Sequence, residues 1–405
     1  MNKPELLSPA GDMERLKYAF KYGADAVYLG AEEYGMRAAP KNFSLEQLKE
    51  AVDYANSIGK RIYLTLNTVP TNEEVVKMPE FIKKVARTGV HAFIVADMGV
   101  MEMAKEYAPN VEIHMSTQTG IMNYVTANAL YKMGAKRVVL ARECSFEDII
   151  TIRKNTPPDL EIECFVHGAM CMSFSGRCLL SHYLTGRDAN RGECAQPCRW
   201  EWQLSEKTRP GQYYDIAENS YGSTYIMNAN DLCMAQYADM LCKAGISSLK
   251  IEGRAKSFYY VASTTAAYRK ALDSYFAHPD NWVCPNEVTE ELTKTSHRRY
   301  STGFYFGPEH AIQSTDTSNY VREYELLAVV EDCKDGEIYC SQRGKFELGA
   351  EIEILQPNGE NLKFTPKYII DEEGNSITST PHAKMKYKID CPHEVEPMSI
   401  LRKPL

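Results

Sequence analysis

Amphipathic segments and short apolar runs alternate along the first 275 residues. Five of the amphipathic segments end at a glycine, and an apolar run follows a few residues later. Glycine suits the left-handed residue that closes a helix, because it has no Cβ atom to clash there. The clearest repeats are Gly23 before AVYLG, Gly59 before RIYLTLN, Gly89 before HAFIVAD, Gly134 before KRVVLAR and Gly245 before SSLKIEG. The pattern predicts repeated units of helix, tight turn and buried strand.

Eight apolar runs are predicted to be strands of one sheet. Strands that are apolar on both faces and alternate with helices indicate a parallel sheet, and eight of them favour a closed β/α (TIM-like) barrel. An open doubly wound sheet is the alternative, but no dinucleotide fingerprint or phosphate loop follows any strand. The fold class is therefore α/β. The strands are predicted near residues 4–8, 26–31, 61–67, 92–97, 111–118, 137–142, 161–167 and 248–253, with an additional extended piece near 224–230.

The pattern changes after residue 275. Residues 276–320 carry Pro, Gly and mixed charge, which indicates a connector with one helix. Beyond them the apolar period becomes two, between turn signals such as Asp335-Gly336 and Asn358-Gly359, which is typical of antiparallel strands. The predicted domains are a barrel over 1–275 with a Cys-rich insertion at about 168–235, the connector, and a small antiparallel β-barrel domain over 321–405.

Composition narrows the classes of protein. The 405 residues are 44% hydrophobic and 25% charged, the balance of a folded soluble chain, and their number favours two domains. No apolar run has the length of a signal peptide or a membrane span, so we expect a cytoplasmic location and no membrane partner. The formal net charge of -8 argues against a broad surface for nucleic acid. Twelve cysteines in a reducing compartment point to metal or redox chemistry.

Polar residues close most of the predicted barrel strands, at the end where β/α barrels carry their active sites. Arg142 and Arg254 are the expected anchors for a small anionic co-substrate, because a guanidinium holds a carboxylate through two parallel hydrogen bonds. Glu252 and His167 are candidates for proton transfer. The alternative is that some of these side chains only cap helices or pair with each other. The predicted substrate-binding set is Asn67, Asp97, Gln118, Arg142, His167, Glu252 and Arg254.

A group of cysteines follows the seventh predicted strand, and none of its members has the two-residue spacing of a zinc ribbon. Four thiolates suit a 4Fe-4S cluster or a tetrahedral zinc equally well. The third interpretation is a nucleophilic Cys171 paired with His167, which leaves its neighbours without a role. The cysteines concerned are Cys171, Cys178, Cys194, Cys198 and Cys233.

The insertion is also rich in arginine and aromatic residues. Flat rings such as Tyr183 and Trp200 beside arginines are typical of surfaces that hold an RNA backbone and stack an unpaired base. A solvated loop has the same composition. The arginines are Arg177, Arg187, Arg191 and Arg199.

The stretch FVHGAMCMSFSGRCLLSHYLTGRDANRGECAQPCRW resembles the signature of the collagenase-like proteins of peptidase family U32. The segments ELLSPAGDMERLKYAFKYGADAVYLG, KRVVLARE and SLKIEGRAKS resemble the same family, so the similarity spans nearly the whole chain. Within the family, the chain is most similar to the branch that hydroxylates the wobble uridine of transfer RNA. The expected function is therefore tRNA modification.

The resemblance implies a 4Fe-4S cluster on four cysteines, which match Cys171, Cys178, Cys194 and Cys233. Cys198 falls outside the matched four, so it either replaces one ligand or lies beside the cluster. The hydroxylating branches act on transfer RNA, ribosomal RNA or a ubiquinone precursor. Their oxygen atom does not come from dioxygen, and prephenate is implicated as the source. The resemblance thus implies a prephenate-like co-substrate. Zinc, which four thiolates also suit, stays the alternative to the cluster.

The family name also implies a rival function, a collagenase-like peptidase. The chain has no HExxH motif and no Gly-x-Ser-x-Gly elbow, so its own residues do not support peptide hydrolysis. Some members of the family work in pairs, so a subunit that needs a paralogous partner is a third hypothesis.

Overall fold

The computed structural model of the protein describes residues 2–32, 42–171, 173–200, 203–205, 207–208, 210–211, 213–215, 229–311 and 320–405. Seven strands pair side by side in parallel from the first to the seventh, and an eighth closes the ring by pairing with both the seventh and the first. These strands are β1 (Glu5–Pro9), β2 (Ala26–Gly30), β3 (Arg61–Leu66), β4 (Ala92–Val95), β5 (Glu112–Met115), β6 (Arg137–Val139), β7 (Glu161–Ala169) and β11 (Ser248–Ile251). Three short strands lie between β7 and β11 in the sequence, namely β8 (Gln203–Ser205), β9 (Tyr213–Asp215) and β10 (Asp231–Cys233). The predicted TIM-like barrel is confirmed.

Helices connect most of the barrel strands, and their starts are fixed by side-chain caps. Ser44 and Ser145 each form a capping box with the residue three positions later, which satisfies amide groups left free in the first turn. Across the described ranges, no helix is both long enough and apolar enough to span a membrane. The helices are α1 (Met13–Lys21), α2 (Leu45–Ser57), α3 (Asn72–Val75), α4 (Met78–Ala86), α5 (Met98–Tyr107), α6 (Tyr124–Lys132), α7 (Phe146–Lys154), α8 (Leu180–Thr185), α9 (Ala238–Lys243), α10 (Phe258–Ala277) and α11 (Asn286–Thr293).

The glycine that follows α1 shows why the repeat uses this residue. Gly23 has a φ of +105°, which side chains rarely tolerate, and an ideal Cβ there would lie 2.6 Å from Cγ of Arg269. The tight turn therefore lets α10 pack closely behind α1.

Two short strands extend the barrel sheet beside β7. β10 pairs antiparallel to β7, and β12 (Tyr300–Ser301) pairs with β10. The extended piece predicted near 224–230 lies outside the described residues up to position 228. Residues of the predicted connector pack into the barrel core through Val288, Leu292 and Tyr305. The domain boundaries proposed at 275 and 320 stay a prediction.

The barrel interior is polar at its base. An apolar cluster of small and aromatic residues fills part of it, but Arg137 and Glu163 are buried among them with exposed fractions of 2% and 0%. Barrel interiors are usually filled by branched apolar side chains. The members of the apolar cluster are Leu7, Ala26, Tyr28, Tyr63, Ala92 and Ile94.

The C-terminal residues form an antiparallel sheet with its own apolar core. Its strand order is β16-β15-β20-β13-β14-β19-β17-β18, a curved half-barrel, and the predicted small antiparallel β domain is confirmed. The strands are β13 (Tyr324–Lys334), β14 (Glu337–Gln342), β15 (Ile352–Leu355), β16 (Leu362–Phe364), β17 (Ile369–Asp371), β18 (Ser376–Ile377), β19 (Lys386–Asp390) and β20 (Ile400–Pro404).

Candidate active site at the barrel mouth

A cavity of about 620 Å³ lies at the carboxyl ends of the barrel strands. The Cys-rich insertion contributes its outer rim, and the strand ends contribute its walls. Five of the seven predicted substrate-binding residues line the cavity, namely Asn67, Gln118, Arg142, Glu252 and Arg254. The arrangement matches the place where β/α barrels carry their active sites.

Arg142 forms part of the cavity wall just after β6. Its Nη1 donates to the carbonyl oxygen of Ala169 at 2.6 Å, and its Nη2 lies 3.6 Å from Oε2 of Glu252. The guanidinium carbon lies 4.0 Å from the centroid of the Phe165 ring. Its Nε is buried and has no hydrogen-bond partner in the described part of the chain. A buried donor is costly to leave unpaired, and a bound anion would relieve that cost.

Arg254 follows β11 and is 4% exposed. Its Nη1 donates to Oγ1 of Thr65 at 2.9 Å, and its Nη2 donates to Oδ1 of Asn42 at 3.2 Å. An ideal Cβ on Gly30 would lie 2.7 Å from that Nη2. The absence of a side chain at the end of β2 therefore makes room for the guanidinium.

Other polar groups tie the wall together. The Tyr28 hydroxyl donates to Oε2 of Glu252 at 3.2 Å and to the carbonyl oxygen of Ile251 at 3.0 Å. Nδ2 of Asn67 donates to Oε1 of Gln118 at 2.6 Å. These bonds join alternate strands of the barrel, β2 to β11 and the end of β3 to the segment after β5, and so connect parts of the wall.

Two predicted substrate-binding residues lie elsewhere. Asp97 caps α5, since its Oδ1 accepts a hydrogen bond from the Val100 amide at 3.0 Å. His167 is 1% exposed on β7, and its Nδ1 lies 3.4 Å from the Tyr268 hydroxyl. Burial lowers the pKa of His167 to about 3, so the imidazole is neutral at physiological pH. Neither is among the described residues that line the cavity.

Four thiols share the rim of the cavity, those of Cys171, Cys178, Cys194 and Cys198. Burial raises the pKa of the Cys198 thiol; Arg199 lowers it, and the other three neighbouring cysteines raise it further. In the ranges that the structure describes, no group of three or more His, Cys, Asp or Glu side chains is arranged to hold one metal ion. The donor set still has the chemistry of a site for zinc or an iron-sulfur cluster, because several thiols face one space.

Cys233 occupies a different position, on β10. It pairs across the sheet with His167 of β7, four positions before Cys171 in the sequence. Burial raises the pKa of the Cys233 thiol to about 11. The residue therefore lies beside the strand end that leads into the insertion, and it is not among the described residues that line the cavity.

Three of the four arginines of the insertion bind the barrel or its strand ends. Arg177 donates to the carbonyl oxygen of Gln118, and Arg199 donates to that of Met170. Arg191 pairs with Glu74, and this pairing is the main reason that the pKa of Glu74 falls to about 2. These side chains hold the insertion over the cavity. Arg187 stays exposed, as do Tyr183 (87%) and Trp200 (41%).

Comparison with known proteins gives the family. A model of peptidase family U32 matches residues 11–315, and a model of the family's C-terminal domain matches residues 322–402. The chain belongs to peptidase family U32.

Relatives of this U32 chain carry two kinds of name. It is 38% identical over 404 residues to tRNA hydroxylation protein P1 of Bacillus subtilis, covering 99% of this chain and 95% of the relative. It is 34% identical over 449 residues to tRNA hydroxylation protein P of Escherichia coli, covering 98% and 95%. It is 35% identical over 378 residues to a protein named Collagenase from Porphyromonas gingivalis, covering 88% and 87%. Family membership alone therefore does not choose between hydroxylation and peptide hydrolysis.

Among the cavity residues that the sequence prediction did not include are Tyr28, Thr65 and Lys250. They stand inside apolar runs rather than at their ends, where a polar residue draws less attention. For Lys250 the sequence does carry a signal. It precedes Glu252 by two positions in SLKIEG, so a strand there points both side chains to the same face.

Proposed function

We propose that this U32 protein is an RNA-modifying enzyme that hydroxylates the wobble uridine of transfer RNA. The observation that carries the proposal is the cavity, which Arg142 and Arg254 line together with four cysteines of the insertion. Full-length similarity to proteins named for tRNA hydroxylation supports it. A cavity of this size accommodates a small co-substrate together with one nucleobase.

The proposed co-substrate is a prephenate-like carboxylate that donates the oxygen atom. Arg142 and Arg254 would bind it, since guanidinium groups recognise carboxylates through paired hydrogen bonds. Glu252 lies 3.6 Å from Arg142 and is the nearest described carboxylate to that guanidinium, so it would orient the arginine and is the candidate to hold a proton at the site.

The proposed cofactor is a 4Fe-4S cluster, with zinc as the alternative. Cys171, Cys178 and Cys194 would hold it together with Cys233, and Cys198 is the competing fourth ligand. A cluster of this kind supplies one-electron redox chemistry when bound. The protein's part is to exclude water above the cavity with the insertion and to present the carboxylate donor below.

RNA would approach from the face of the insertion. Tyr183 and Trp200 present exposed rings on which an unpaired base can stack, and Arg187 is an exposed cation for the backbone. A target base must leave its stack to reach a cavity beneath such a surface. The acidic remainder of the chain confines this contact to one side of the molecule.

Mass spectrometry of transfer RNA from a strain that lacks the gene tests the proposal. We expect hydroxylated wobble uridine to disappear and to return with the wild-type gene. Arg254→Met should restore about tenfold less, because a charge-assisted carboxylate contact is lost. Arg87→Met, which removes an exposed arginine at the end of α4, is the matched control and should restore it fully.

Wobble uridine that stays hydroxylated in this strain, with its paralogous genes also deleted, would exclude the proposed activity. Restoration only when a paralogous family member is co-expressed would assign this chain to a paired enzyme. Loss of a hydroxylated ribosomal RNA nucleoside instead would change the RNA but keep the chemistry.

The collagenase-like function is tested separately with anaerobically purified protein and fluorescent denatured collagen. Similarity to the protein named Collagenase is the observation behind this test. Peptide release that Cys171→Ser abolishes would support a peptidase that depends on the cysteine site, through a bound metal or a nucleophilic thiol. No release is expected if the cavity serves RNA modification.

A further inference from the structure

Lys250 lies inside the barrel at the floor of the cavity. It is a β11 residue whose side chain is 5% exposed, and it is among the residues that line the cavity. Its ammonium lies 4.5 Å from the centroid of the Tyr28 ring and 5.2 Å from that of Phe165. Lysine is rarely buried unless its charge is paired, so we expect an anionic residue beside the Lys250 ammonium.

A buried charge network beneath the cavity provides that partner. Nζ of Lys250 donates to Oε1 of Glu163 at 2.7 Å. Nη1 of Arg137 donates to Oε2 of Glu163 at 2.9 Å and to Oε1 of Glu5 at 2.7 Å. Burial opposes the charge on Glu163, yet Lys250 and Arg137 hold the pKa of this carboxyl at about 2. The carboxylate therefore stays ionised and fixes the ammonium in place.

The ammonium keeps donors that none of the described residues uses. A lysine ammonium has three N–H groups, and within the described ranges the Glu163 carboxylate is the acceptor that the Lys250 ammonium reaches. The faces of Tyr28 and Phe165 attract the cation but replace no hydrogen bond. Because the residue borders the cavity, a ligand there can supply the missing acceptors.

The charges around the cavity favour a ligand with more than one negative charge. Arg142 contacts the same Phe165 ring as Lys250, at 4.0 Å, and Arg254 lines the cavity as well. Glu252 is the one carboxylate among the described lining residues. Cations therefore outnumber anions on the walls, which raises the local concentration of anionic ligands.

We propose that Lys250 is a specificity-determining residue that binds one carboxylate of a compact dicarboxylate. The second carboxylate binds Arg142 and Arg254, and the ring that carries both acidic groups lies against Tyr28 and Phe165. This inference rests on the proposed function only in taking the dicarboxylate as the oxygen donor. The position of the ammonium that binds it is fixed by the ion pairs of Lys250, Glu163 and Arg137.

Calorimetric titration of the full-length, anaerobically purified protein with two ligands tests the inference. Prephenate carries a ring carboxylate and a pyruvyl carboxylate, whereas phenylpyruvate keeps the pyruvyl group on a six-membered ring and lacks the ring carboxylate. We expect wild-type protein to bind prephenate about tenfold or more tightly than phenylpyruvate, since the difference measures one charge-assisted contact.

Lys250→Met removes the ammonium and keeps most of the apolar side chain. We expect the preference for prephenate to fall below about threefold, with the affinity for phenylpyruvate within about twofold of wild type. Lys294→Met is the matched control, because Lys294 is a buried lysine that donates to Glu353 at 2.7 Å in the contact with the C-terminal domain. It should keep the full preference.

A folded Lys250→Met that still prefers prephenate would overturn the inference, as would wild-type protein that binds both ligands equally or neither. If Lys250→Met does not fold, the double variant Lys250→Met/Glu163→Gln removes the ion pair as a whole and takes its place. The proposed function fails separately: unchanged tRNA hydroxylation in the deletion strain that also lacks the paralogous genes excludes that activity, while a Lys250-dependent preference for the dicarboxylate stands.

Discussion

Gly30 decides how closely the Arg254 guanidinium approaches the barrel wall. We expect Gly30→Ala to weaken binding of prephenate about tenfold, because its Cβ would lie 2.7 Å from Nη2 and displace the group that binds Thr65. The free energy of unfolding should fall by about 1–3 kcal/mol from overpacking. Titration calorimetry and urea unfolding measure the two effects.

Gly99→Ala is the control for this prediction. Gly99 lies on α5, away from the cavity, and a Cβ there would lie 3.1 Å from Oδ1 of the capping residue Asp97. The substitution should leave the affinity for prephenate unchanged. Unaltered affinity in Gly30→Ala would mean that Arg254 does not contact the ligand.

At the same scale, the polar residues that end strands were a good guide to the cavity for Arg142 and Arg254 but not for His167. A one-residue change along a strand turns a side chain to the opposite face. The pairing of β7 with β11 shifts register by one residue between Lys250 and Ile251. Phe165 therefore pairs with Lys250, and His167 pairs with the next β11 residue, Ile251. Such a bulge cannot be predicted from the sequence alone. The sequence prediction did not include Lys250 because this residue stands inside an apolar run.

Two cysteines are candidates for the fourth ligand of the proposed cluster, Cys198 in the insertion and Cys233 on β10. Family resemblance assigns Cys233, which β10 places beside the end of β7, whereas the rim of the cavity holds Cys198. We expect Cys233→Ser to lose iron as Cys171→Ser does, from about four irons per chain, and Cys198→Ser to retain it.

Elemental analysis of protein purified without oxygen measures this. Loss of iron from Cys198→Ser with iron retained in Cys233→Ser would assign the cluster to the rim thiols alone. Colourless wild-type protein with about one zinc per chain would favour the tetrahedral zinc site instead, provided that no cluster was lost during purification.

Across the whole molecule, Arg402 joins the C-terminal domain to the connector and the barrel. It is fully buried on β20, donates to both oxygens of Glu291 on α11 at 2.6 and 2.5 Å, and donates to Oε1 of Glu353 at 2.9 Å. We expect Arg402→Met to lower the free energy of unfolding by about 3–5 kcal/mol, because the buried carboxylates of Glu291 and Glu353 both lose the guanidinium and are left to share Lys294.

Urea unfolding followed by circular dichroism checks this prediction. Arg343→Met is the control, since Arg343 pairs with Glu14 at 2.8 Å at the partly exposed edge of the same contact and should cost less than about 1 kcal/mol. Equal effects of the two variants would show that the buried network does not stabilise the contact.

The sequence by itself determined the architecture of this protein, because hydrophobic periodicity and glycine-terminated helices are local properties that the chain carries in its order of residues. It also indicated which strand ends carry chemistry. Only the tertiary structure decided which groups meet. Glu163, Lys250 and Arg137 come from three strands, and their network depends on closure of the barrel and on register. The same holds for the cysteines, whose positions depend on how the insertion folds back over the barrel mouth.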